Sequence, residues 1–226
     1  MHCRVVTDLF GTDDAVQSWR VFRIMSEFVS GFEILRKYST AATFFGSART
    51  KPTEPDYKSA EELSARLAKS GFAVITGGGP GIMEAANVGA YKVGGKSIGL
   101  NIELPMEQKL NPYVTESNNF HFFFSRKVML SFASEVYIYF PGGFGTIDEL
   151  FEIATLIQTK KISPIPIVLF DKKFWDPLFV FMRAQLLKEY KTISIEDLDI
   201  FHIVDTVDEA YDYIMSHVDP TSPKQV

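Results

Sequence analysis

Cysteine is almost missing from this chain: Cys3 stands alone among 226 residues. A single thiol makes no internal disulfide and no cysteine zinc site, and it fits a reducing compartment. Histidine is scarce as well. His2, His121, His202 and His217 show no metal-ligand spacing, so no metal is expected. No apolar run approaches the roughly 18 residues that a membrane span needs. The N-terminus lacks an apolar stretch followed by a small-residue cleavage site. The expectation is a cytoplasmic protein with no membrane partner. A strong charge of one sign is lacking too. The formal net charge is −5, which gives no electrostatic reason to bind nucleic acid or anionic lipid.

What is present suits one folded domain. The length is ordinary for a single α/β unit, and such a chain buries a full core without a staple. Hydrophobic residues make up 46% of it, which argues against disorder. The 20 phenylalanines suggest a large core or a buried subunit contact.

Apolar residues at three- and four-residue steps predict a helix over 13–38. Trp19, Phe22, Met25, Val29 and Phe32 form its apolar stripe, and Arg20, Arg23, Glu27 and Glu33 fall between them. Asp13 or Asp14 can cap its start. The stripe is expected in the core or at a subunit interface. Short apolar strands then alternate with helices. Strands are expected at 41–45, 72–76, 97–101, 119–124, 136–140, 165–170 and 201–204. Helices are expected at 56–69, 82–93, 126–133, 147–158, 174–188 and 207–217. Phe122, Phe123 and Phe124 are read as strand core, and 102–118 as a loop or lid. This order implies a Rossmann-like, doubly wound parallel sheet with helices on both faces. Strands that are apolar throughout are what a sheet covered on both sides requires. The expected layout is an N-terminal helical extension over 1–40, a nucleotide-binding catalytic domain over 41–218 and a flexible tail over 219–226.

In an open parallel sheet, ligands sit beyond the carboxyl ends of the strands. Two strand ends here are dense in glycine: Gly77-Gly78-Gly79-Pro80-Gly81 and Pro141-Gly142-Gly143-Phe144-Gly145-Thr146. Each runs directly into a helix. Unpaired N–H groups at a positive helix end suit a phosphate. Glycine lets the backbone come close and take a positive φ. Neither turn is a Walker loop, and neither is the G-x-G-x-x-G fingerprint of a first strand. A plain tight turn without a ligand is the alternative for each. Thr146 and Glu149 also fit a capping box, which competes with a catalytic role for Glu149. For Arg126 taken alone, a surface arginine at a helix start is the competing reading.

Residues 141–149, Pro-Gly-Gly-Phe-Gly-Thr-Ile-Asp-Glu, match the P-G-G-x-G-T-x-x-E motif of the Lonely Guy family. Its members are cytokinin riboside 5′-monophosphate phosphoribohydrolases, often mislabelled lysine decarboxylases. Residues 77–87 resemble its other glycine-rich motif. Ser125-Arg126-Lys127 resembles its Arg-Lys pair, and Phe45-Gly46-Ser47-Ala48-Arg49 its first strand end. The four motifs stand in family order over roughly residues 40–190, and the preceding residues resemble the extension of longer bacterial members.

The resemblance implies Arg126 and Glu149 as the catalytic pair. It places the 5′-phosphate on Gly142, Gly143, Gly145 and Thr146. Gly78, Gly79 and Glu84 would line the rest of the nucleotide site, with Ser47 and Lys127 as weaker members. The implied substrate is a nucleotide, adenosine monophosphate or a cytokinin ribotide, cleaved to free base and ribose 5-phosphate. No cofactor is implied, and a homodimer is the default assembly. The competing function is a non-catalytic nucleotide or cofactor carrier of the same fold. Lysine decarboxylation normally needs a pyridoxal Schiff base, and no lysine in the sequence stands out for that role.

Overall fold

The computed structural model describes residues 14–103 and 110–221. Cys3, His2, Asp13, Pro105 and the tail from residue 222 lie outside the described residues, as do the side chains before Trp19. Seven strands form one parallel sheet. They are β1 (Ala41–Phe45), β2 (Ala73–Thr76), β3 (Ser97–Ile102), β4 (Glu116–Phe120), β5 (Val136–Tyr139), β6 (Ile167–Phe170) and β7 (Phe201–Val204). Their order across the sheet is β4-β3-β2-β1-β5-β6-β7, and every neighbouring pair is parallel. The chain therefore builds outward from β1 in one direction, then returns to β5 and builds outward in the other. β1 and β5 meet at the reversal, with Ala42 beside Val136 and Phe45 beside Tyr139.

Helices cover both faces. On one side lie α1 (Asp14–Leu35), α4 (Phe123–Ser131), α5 (Phe144–Gln158) and α6 (Lys172–Phe181). On the other lie α2 (Pro55–Lys69), α3 (Ile82–Lys92) and α7 (Val207–His217). Alternate residues of the central strands β2, β1, β5 and β6 serve the two cores: in β1, Ala41 and Phe45 face the first, Ala42 and Phe44 the second. This is the period-two geometry of a strand buried on both faces. α6 continues into π-helical turns over Met182–Glu189. Among the described residues, no helix is long and apolar enough to cross a membrane.

One expectation is corrected and another narrowed. The Phe122–Phe124 run is not strand core. β4 ends at Phe120, Phe122 caps α4, and Phe123 and Phe124 stand half-exposed in its first turn. Three consecutive aromatics cannot all face a core once the chain turns helical, because successive helical residues point about 100° apart. The other concerns α1, where of the two places expected for the apolar stripe, core or subunit interface, the core is excluded. Trp19, Phe22, Met25, Val29 and Phe32 are all exposed and take no part in this chain's core. The buried face consists instead of Glu27, Gly31, Ile34 and Leu35, at helical spacing but with a carboxylate in the apolar series.

Candidate active site

The carboxyl ends of β2, β1 and β5 lie side by side, so three loops converge at the reversal of strand order. Backbone bonds join them. The N–H of Ser47 donates to the carbonyl of Pro141 at 3.0 Å, and the N–H of Ile82 donates to the carbonyl of Ser47 at 3.1 Å. Gly81 makes the second contact possible. It has φ 71°, and a methyl on it would lie 2.2 Å from the Ser47 carbonyl oxygen. Only glycine combines that backbone angle with that approach.

Gly142, Gly143 and Gly145 behave differently. None has a positive φ, so the expectation of glycine-only backbone angles holds at Gly78 and Gly81 but not here. Gly142 is packed beneath Thr146, where a methyl would meet the hydroxyl oxygen at 2.2 Å. Around Gly143 and Gly145 there is open space. α5 begins at Phe144 with Gly143 as its N-cap and no side-chain cap. Thr146 and Glu149 thus both lie inside the helix, and the capping box is not formed. The first-turn N–H groups of Phe144 and Gly145 point out of the helix end without an intrahelical acceptor.

These loops enclose a cleft of about 700 Å³ lined by Gly46, Ser47, Arg49, Gly77, Arg126, Gly143, Phe144, Gly145, Thr146 and Glu149, among others. Glu149 is 6% exposed. Its Oε2 is buried without a hydrogen-bond partner. Burial pushes its proton affinity up to about 7, with Lys127 and Arg126 pulling the other way and Glu152 adding to the rise. Arg126 comes from the first turn of α4. Its Nε donates to the carbonyl of Leu100 at 2.8 Å, and its guanidinium lies against Gly77, where a methyl would meet it at 2.2 Å. Burial lowers its proton affinity, and the Glu149 carboxylate counters that in part. It remains a cation at neutral pH. This placement replaces the surface arginine of the competing reading.

Of the residues singled out from the sequence, Ser47, Arg126, Gly143, Gly145, Thr146 and Glu149 line one cleft, with Gly142 directly beneath. The others stand back from it. The carbonyls of Gly78 and Gly79 are both taken by the Asn111 side-chain amide at 3.1 Å. Asn111 also donates to Asn87, which is bound in turn to Thr76 and Ser97. This buried polar network fixes the glycine turn to the far end of the loop after β3. Glu84 accepts from the Tyr57 hydroxyl at 3.1 Å. Lys127 bridges to Asp148 at 2.7 Å and Glu152 at 2.6 Å, tying α4 to α5.

Sequence reasoning passed over Arg49 and Phe144 as lining residues. Arg49 stood inside a quoted motif, and Phe144 is 95% exposed at the helix tip, where an apolar side chain has no packing role. Asn111 carried no sequence signal, because its three acceptors come from distant segments. Among the described residues, no group of three His, Cys, Asp or Glu is close enough to hold a metal.

A family model described as "Possible lysine decarboxylase" matches residues 83–214. The chain belongs to this family, the Lonely Guy family. The matched segment holds Arg126, the P-G-G turn and Glu149. A cytokinin riboside 5′-monophosphate phosphoribohydrolase of Rhodococcoides fascians is 24% identical over 136 residues, 59% of this chain and 69% of that protein. Several solved structures share the Lonely Guy chain's fold. A molybdenum cofactor binding protein from Rippkaea orientalis is 24% identical, with a TM-score of 0.57 over 78% of this chain and 94% of its own. The molybdenum cofactor carrier protein of Chlamydomonas reinhardtii is 21% identical, with a TM-score of 0.57 over 79% and 97%. DNA processing protein A of Streptococcus pneumoniae is 13% identical, with a TM-score of 0.52 over 79% and 62%.

Proposed function

We propose that this protein is a phosphoribohydrolase that cleaves the N-glycosidic bond of purine nucleoside 5′-monophosphates, adenosine monophosphate or a cytokinin ribotide. The observation that carries the reading is the shared cleft of Glu149 and Arg126, with the uncapped N-terminus of α5 at its wall. The phosphate sits at the N–H groups of Phe144 and Gly145, with the Thr146 hydroxyl beside them, as a helix N-terminus favours. The open space at Gly143 and Gly145 lets phosphate oxygens reach the backbone. Arg49, an exposed cation on the cleft, adds charge complementarity.

Gripping the phosphate positions the sugar, so binding energy away from the reacting bond is used at that bond. Cleavage is oxocarbenium-like, as in glycoside hydrolysis. The C1′–N bond breaks with its electron pair going to the base, and a water oxygen bonds to C1′. Glu149 in its ionised form stabilises the sugar cation and takes the proton of the water. That proton then passes to the departing base, and the carboxylate is restored. A proton affinity near neutrality suits a group that must take and release a proton in each cycle. Arg126 holds the negative end of this arrangement, against Glu149 and the nucleotide.

Among the described residues, the cleft lining holds no lysine, and Lys127 is engaged by two carboxylates. Incubating the purified protein with a panel of nucleoside monophosphates and separating the products tests the reading. Free base and ribose 5-phosphate are expected from at least one purine monophosphate. Tight binding of a nucleotide that stays intact would instead make the protein a carrier. The assembly we propose is a homodimer, read out by light scattering.

A further inference from the structure

Helix α1 lies outside the segment matched by the family model, yet it grips the element that carries Arg126. Glu27, on α1, is 8% exposed. Its two carboxylate oxygens accept from the backbone N–H of His121 at 2.9 Å and of Phe122 at 3.3 Å. Those amides form the turn between β4 and α4. Phe122 is the N-cap of α4, and no side chain of α4's own segment caps the helix. A carboxylate at that position satisfies donors left open by the fold and is favoured by the helix dipole. Glu27 thus supplies from a separate helix what the local sequence, three consecutive phenylalanines, cannot.

Two neighbouring contacts reinforce the grip. The Ser30 hydroxyl accepts from the Asn118 side-chain amide at 3.0 Å. Gly31, one turn after Glu27, packs so closely on α4 that a methyl there would lie 2.5 Å from the Met129 sulfur. Arg126 follows Phe122 by one turn and donates its N–H to the Phe122 carbonyl at 3.3 Å. The guanidinium is fixed at its other end by Leu100. Its position in the cleft therefore depends on where the start of α4 is held.

We propose that Glu27 is a positioning residue for Arg126, acting through the first turn of α4; its kinetic consequence rests on the phosphoribohydrolase reading. Two readouts test it together. One is steady-state base release from adenosine monophosphate. The other is the NMR signal of the Arg126 Nε–H, assigned by its loss in Arg126→Lys. Glu27→Ala is expected to lower kcat about tenfold and to shift or broaden that signal. Glu27→Gln keeps one of the two acceptors and is expected to fall between Ala and wild type on both measures.

Wild-type kcat and an unmoved signal in Glu27→Ala would overturn the proposal, even with a lowered melting temperature, because Glu27 would then be structural only. Should Glu27→Ala fail to fold, Glu27→Gln carries the same two readouts. Should the wild-type protein release no base from any purine monophosphate, the enzymatic reading falls. The Nε–H signal then decides the role of Glu27 alone.

Discussion

Glu149 and Arg126 enter one cleft from two different helices, α5 and α4, and each offsets the other's burial. The carboxylate is the more exposed to consequence, since its Oε2 has no hydrogen-bond partner. Replacing Glu149 with Gln removes the charge and keeps the shape. Base release from adenosine monophosphate is expected to fall by roughly 10²–10⁴-fold, while nucleotide affinity stays near wild type. Product analysis beside equilibrium binding checks both halves.

The proton affinity of Glu149, pushed up to about 7, sets a pH dependence. If the ionised form acts, kcat/KM rises with pH up to about 7 and levels off above it. The same shift makes a stability claim of fixed sign. The folded protein holds this proton up to about pH 7, whereas an ordinary glutamate loses it near 4.5. The folded state therefore binds more protons between those values, and this group's contribution is lost as pH rises through 7. Glu149→Gln is expected to melt above wild type by roughly 5 °C at pH 8, with the gap closing by pH 5. Calorimetric scans of both proteins across that range give the answer.

Arg126 is one of the cations holding that value down. In Arg126→Ala, Glu149 keeps its desolvation cost and loses a counter-charge. The midpoint of the residual rate profile is expected to move above 7, with kcat/KM reduced roughly 100-fold or more. Arg126→Lys retains a charge but has no Nε to donate to Leu100, and it is expected to fall between. A rate profile of Arg126→Ala with an unchanged midpoint would separate the two groups.

The glycines of the two turns are expected to respond in opposite ways. Gly81→Ala places a methyl 2.2 Å from the Ser47 carbonyl at φ 71°, and is expected to cost on the order of 3 kcal/mol of stability. Gly143→Ala and Gly145→Ala meet no neighbour and need no positive φ. Their melting temperatures are expected to stay near wild type, while nucleotide affinity drops about tenfold or more. Thermal melts and binding titrations of the three variants show whether the second turn serves folding or the ligand.

Six of the seven strands were legible because they are largely apolar and separated by helices, and they appear within two residues of where the sequence placed them; β4, the polar Glu116–Phe120, shares only Asn119 and Phe120 with the strand expected at 119–124 and begins inside the stretch read as a loop. The errors arose where periodicity was ambiguous. Phe122–Phe124 reads equally as buried strand or as helix start, and β propensity alone chose wrongly. Glu27 carried no signal beyond its place between apolar positions, because its partners are backbone amides of residues far along the chain, which leave no trace in a pattern of side chains. The same holds for Asn111, whose acceptors are carbonyls of the glycine turn. Arg126 and Glu149 emerged from the motif match; spacing alone left a surface residue and a capping box as rivals. What decided against those rivals was burial and helix register, both tertiary properties.

The meeting of β1 with β5 has a further consequence. This contact joins the two halves of the sheet, and the cleft opens at its carboxyl end. The floor of the pocket is formed by the ends of the central strands, which the two cores hold from both faces. Occupancy of the pocket is therefore expected to raise the stability of the whole domain. On the proposed function, nucleotide binding is expected to raise the melting temperature, which then gauges how full the pocket is.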